Sequence, residues 1–215
     1  INRSIPSTFD ETKPSRGASG VFDNYTNGDA REKNNDEKMN VEKVLEECLE
    51  RPDKIAAIVG AMRAHPTNSY LQWCAIEALA NVCPGRKDAR SEIVQAGGPR
   101  LVAETMGRFP SDMKVQTKGS WLVANGSQDF EMDWVENGAI EALRGAVQLY
   151  ISEAGRGDAA AAGFMVAARA IKGIASSATL LNDTVLKEAL KEALETFSDP
   201  MAQWRATEAL TALQG

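Results

Sequence analysis

One histidine, three cysteines and a short run of carboxylates are the residues in this 215-residue chain whose chemistry could extend beyond packing. A Ser-His-Asp relay needs an imidazole, and His65 is the only one present. Phe109 stands in its place 44 residues later, so position 65 reads as the end of a helix and not as a base. A lone histidine also excludes a multi-histidine metal site, and Cys48, Cys74 and Cys83 lack the spacing of a zinc motif. Cys74 and Cys83 lie nine apart on one predicted helix, too far along its axis to bridge. Buried reduced thiols are expected, and with them an intracellular, reducing compartment. Asp129, Glu131, Asp133 and Glu136 gather at the start of a predicted helix, whose positive end accounts for them better than a metal ion does. Gly97-Gly98 is not followed by the Lys-Ser/Thr of a phosphate loop. The Arg156-Gly157-Asp158 tripeptide and the Asn-X-Ser/Thr triplets at Asn2, Asn24, Asn125 and Asn182 are short enough to arise by chance. No catalytic, cofactor or metal site is expected, and the chain reads as a non-enzyme.

Charge narrows the partners. The net charge is −6 and the pI near 5.0, which opposes nucleic acid, since phosphate binding needs clustered Lys and Arg. The densest basic group, Arg86, Lys87 and Arg90, reads as a solvated loop. A membrane span needs roughly 18 apolar residues, and the longest weakly polar run, Ala159 to Ala168, is mostly alanine and too short. The first residue is Ile1 with no signal-peptide core after it, which reads as a processed or partial product. Cytoplasm and organelle interior are not distinguished.

Two regions differ in kind. Residues 1–40 hold no leucine, and Phe9, Phe22 and Tyr25 are scattered among Pro, Ser, Asn, Gly and Asp without helical or strand period. Such a segment cannot bury enough surface to offset its ordering entropy, so an extended, disordered-type tail is expected. Residues 41–215 have helical spacing throughout.

That second region repeats. Met62, Pro66, Gln72 and Asn81 recur as Met106, Pro110, Gln116 and Asn125, each pair 44 apart without a gap. Ile58 with Val102, Leu71 with Val115 and Leu79 with Val123 keep the same register. Ala75, Gly119, Ala167 and Ala206 form a series of small residues at intervals of 44, 48 and 39, as closely packed helices need. Gln203 restores the glutamine, while Phe164 replaces it in the third copy. Ser111-Asp112 and Ser198-Asp199-Pro200 read as helix openings, and Gly97-Gly98 and Gly138 as tight bends. Short helix, glycine bend, medium helix and capped long helix make a three-helix repeat.

The segments Gln95-Ala96-Gly97-Gly98-Pro99-Arg100-Leu101-Val102 and Glu136-Asn137-Gly138-Ala139-Ile140-Glu141-Ala142-Leu143 look like the start of armadillo repeats, and Ala61 to Val82 resembles the second and third helices of one. The resemblance implies an all-α, right-handed α-solenoid of about four armadillo-like repeats over residues 41–215, behind an extended N-terminal tail. In peptide-binding members of the importin-alpha kind, third helices present a tryptophan and, four residues on, an asparagine toward an extended peptide. Trp121 and Asn125 match that spacing, while the first copy has Glu77 with Asn81, the third Arg169 with Gly173 and the fourth Glu208 with Ala212. The Trp/Asn ladder is thus discontinuous.

The expected function is a non-catalytic protein–protein interaction scaffold, an architectural subunit of a larger assembly docking by its helical surface and its tail. A soluble peptide adaptor of the importin-alpha or beta-catenin kind is the alternative, and a regulatory subunit of an enzyme a lesser one. The protein- or peptide-binding candidates are Glu77, Asn81, Trp121, Asn125 and Arg169 on the helices, and Phe9, Phe22 and Tyr25 in the tail.

Overall fold

The computed structural model describes residues 31–175 and 181–214, and among these the secondary structure is entirely helical. The helices are α1 (Arg31–Leu49), α2 (Lys54–Ala64), α3 (Ser69–Val82), α4 (Lys87–Gln95), α5 (Gly98–Arg108), α6 (Met113–Gly126), α7 (Glu131–Glu136), α8 (Ala139–Ser152), α9 (Asp158–Gly173), α10 (Thr184–Thr196) and α11 (Pro200–Ala212). A single 3-10 turn, Ala154–Arg156, joins α8 to α9.

Local chemistry sets the boundaries. Asn68 opens α3 by accepting from the Leu71 N–H at 2.9 Å, and Asp112, 44 residues on, opens α6 by accepting from Lys114 and Val115. Asp199 does the same for α11, with Pro200 at the first helical position where its missing N–H costs nothing. Gly97 and Gly138 hold left-handed φ values of 75° and 96° between a short helix and the next one, a conformation that a Cβ would strain.

Packing follows the repeat. The long helices α3, α6, α9 and α11 each pack on the next of that set, and α2, α5, α8 and α10 do likewise. The small residues Ala75, Gly119, Ala167 and Ala206 are all buried, and a Cβ at Gly119 would meet the Met106 sulfur at 2.5 Å. The series therefore sits where helices approach most closely.

The conserved-register glutamines have a shared task. Gln72 Nε2 donates to the carbonyls of Met62 and His65 at 2.8 and 2.9 Å, and Gln116 Nε2 donates to those of Met106 and Phe109 at the same distances. Gln203 bonds Leu194 and Phe197 in the same way. Each glutamine thus satisfies the last turn of the helix before it, whose carbonyls have no intrahelical donor. In the third copy Phe164 is buried and stacks on Phe197, with ring centroids 4.9 Å apart.

Two expectations need correction. The segment expected to be extended as far as residue 40 is helical from Arg31, because Arg, Glu and Lys favour helix and lead straight into the apolar stripe Val41, Leu45 and Cys48. Arg90 is not a loop cation in solvent. It lies 6% exposed inside α4, donating to the carbonyls of Cys83 and Gln128 and pairing with Asp129 at 2.7 Å. Asp129 itself takes a left-handed φ of 67°, and Gly85 does so one repeat earlier, so Arg90 ties two equivalent turns together.

Candidate protein-binding surface

The helical candidates all fall along the neighbouring helices α3, α6 and α9; the structure bonds Asn125 directly to Arg169 and joins Glu77 to Trp121 through Lys118. Glu77 on α3 pairs with Lys118 on α6 at 2.5 Å, and the Lys118 ammonium lies 5.2 Å from the centre of the Trp121 ring. Asn125 is buried, with Nδ2 donating to the Ala80 carbonyl at 3.3 Å and Oδ1 accepting from Arg169 at 3.2 Å. One side chain thus links α3, α6 and α9. Further along, Lys172 on α9 pairs with Glu208 on α11 at 2.7 Å, and Arg205 pairs with the same carboxylate.

Asn81 behaves differently from its counterpart. It is exposed on α3, whereas Asn125 is enclosed because α9 and its Arg169 cover it. Of the two, Asn81 is the one that presents its amide to solvent. Trp121 is half-buried under Lys118. Phe9, Phe22 and Tyr25 lie outside the described residues.

The same surface carries residues that sequence reading passed over. Tyr70 meets Trp73 edge-on at 5.2 Å and donates to Glu42 at 3.3 Å, while Lys114 lies 5.0 Å from the centre of the Trp73 ring. Lys114 and Lys118 reach back from α6 to α3, which spacing within one helix does not reveal. The usable signal was opposite or complementary residues about one repeat apart, as with Glu77 and Lys118.

His65 is exposed as the C-terminal cap of α2, and Phe109 caps α5 in the same way. Burial pushes the thiols of Cys74 and Cys83 up to about 12, which keeps them protonated and weakly nucleophilic. Burial also raises the Tyr150 hydroxyl far above its ordinary value, and Thr117 bonds it at 2.9 Å. Among the described residues, no group of three or more His, Cys, Asp or Glu is placed to hold a metal ion. No helix among them is long and apolar enough to cross a membrane.

No protein-family model and no curated protein matches the chain. Function is therefore read from the surface itself.

Proposed function

We propose that residues 41–215 form a right-handed α-solenoid of about four armadillo-like repeats, with α1 leading into it, and that the chain is a non-catalytic interaction scaffold. On this reading it is an architectural subunit of a larger assembly and docks through its helical surface and N-terminal tail. The observation that carries the reading is the paired glutamine bond. The same side chain reaches the same two carbonyl positions at Gln72 and at Gln116, with the long helices packed in series. Repeated units of this kind build extended surface without a convergent pocket.

The peptide-adaptor alternative draws support from the open amide of Asn81 and the half-exposed Trp121. Against it stands Asn125, whose amide is engaged on both sides. Affinity purification of the tagged chain separates the two. An architectural subunit brings down stoichiometric protein partners, keeps them in the Asn81→Ala/Trp121→Ala variant, and loses part of its attachment when residues 1–30 are removed. An adaptor loses its partner in that double variant. Purification of the chain without any stoichiometric protein would contradict both readings.

A further inference from the structure

Away from the third-helix surface, α5, α7, α8 and the start of α10 border two adjoining open hollows. One, of about 500 Å³, lies between Arg100, Ala103 and Glu104 on α5 and the turn into α8. The other, of about 580 Å³, lies between Met132, Val135 and Ile140 on one side and Asn182 to Thr184 on the other. They share Glu136, Gly138 and Glu141, so the turn at Gly138 is a common wall. One apolar side chain of these walls stands open. Met132 is 53% exposed on the second hollow, and no large apolar side chain among the described residues is more exposed. An exposed apolar side chain beside a concavity marks a contact point for a partner.

The charge of the walls defines what that partner carries. Glu104, Glu136, Glu141 and Asp183 face only Arg100 and Arg144. The Arg144 guanidinium is already held by Glu141 and Asp183, each at 2.6 Å, and Arg100 by Glu104 at 2.8 Å. Glu136, in the shared wall, is exposed and has no ion-pair partner among the described residues. The open carboxylate of Glu136 repels nucleic-acid phosphate and anionic lipid, and attracts a cation delivered beside an apolar group.

We propose that the joined hollows around Gly138 dock a partner protein through a basic, amphipathic segment. One large apolar side chain of that segment sits against Met132, Val135 and Ile140, and a lysine or arginine beside it meets Glu136. The proposal rests on the scaffold reading and names the surface and chemistry by which the scaffold is held.

The test uses the full-length tagged chain purified with its stoichiometric partners. Met132→Glu/Glu136→Lys reverses both the apolar and the charged feature at exposed positions, and Glu136→Lys alone isolates the charge. Each is expected to keep the wild-type melting temperature and to lose at least tenfold in partner retention. Carbodiimide, which joins contacting carboxylates and lysine amines, is expected to link Glu136 or Glu141 to another protein. The internal Glu77–Lys118 and Glu208–Lys172 pairs report that the reagent has worked. Folded variants that retain the partner as the wild type does overturn the proposal while leaving the scaffold reading intact. Links that run only to a second copy of this chain overturn it as well. A wild-type chain with no stoichiometric partner overturns both.

Discussion

Gln116 bonds two carbonyls with a single amide; that of Phe109 also accepts from the Asp112 N–H at 3.1 Å, whereas that of buried Met106 has proline, which lacks an N–H, four residues on at Pro110. Gln116→Leu keeps the volume and removes the donor. The Met106 carbonyl left unpaired is expected to cost about 1–3 kcal/mol in urea unfolding. Gln203→Leu removes the same pair of bonds at an exposed position, where water replaces the donor, and is expected to cost less than about 1 kcal/mol. Asp183 offers a pH-dependent case. Burial raises its pKa, but the bonds from Arg144 and the Leu186 N–H outweigh that and hold the carboxyl below its ordinary range. Because the native value lies below the unfolded one, its stabilisation is complete above the unfolded value of about 3.9 and is lost as pH falls through the native value. Asp183→Asn keeps a helix cap and discards the charge. It is expected to destabilise by about 1–3 kcal/mol at neutral pH and to approach the wild type as the pH falls through the lowered native value.

Close approach between helices depends on what faces each small residue. A Cβ at Gly163 would overlap the Tyr150 ring, which is fully enclosed and fixed by Thr117. A Cβ at Gly119 meets the Met106 thioether, which can turn aside. Gly163→Ala is expected to cost about 1–3 kcal/mol and Gly119→Ala distinctly less, as thermal unfolding would report. The small-residue series, the caps at Asp112 and Asp199 and the bends at Gly97 and Gly138 were legible in the sequence, because each rests on chemistry within a few residues. The early start of α1 was not, since residues 31–40 are too polar to display an apolar face until Val41 follows them. Arg90 was misread for a different reason. Its partners at Cys83, Gln128 and Asp129 converge on it only after two repeats have packed, and sequence charge alone reads as exposure.

At the scale of the whole described chain, Cys83, Arg90 and Tyr150 are buried and bonded within the packed helices. The candidate surface was partly legible. The repeat register, at intervals of 44 and then 48, put Glu77, Trp121, Asn125 and Arg169 on neighbouring helices, where the structure finds them. Which of two equivalent asparagines stays open could not be read, because it depends on α9 covering one and leaving the other. The hollows beside Gly138 were invisible for the same reason, being walls contributed by α5, α7 and α8 together with residues at the start of α10. Removing residues 1–30 is expected to leave the melting temperature within a few degrees, since the buried stripe of α1 begins at Val41. The native mass of the protein in an extract of its source, measured by gel filtration with light scattering on the affinity-tagged chain, tests the scaffold claim most directly. A defined complex of fixed stoichiometry, well above the 23.2 kDa of the chain, is the expected result. A lone 23.2 kDa monomer in every fraction would contradict it.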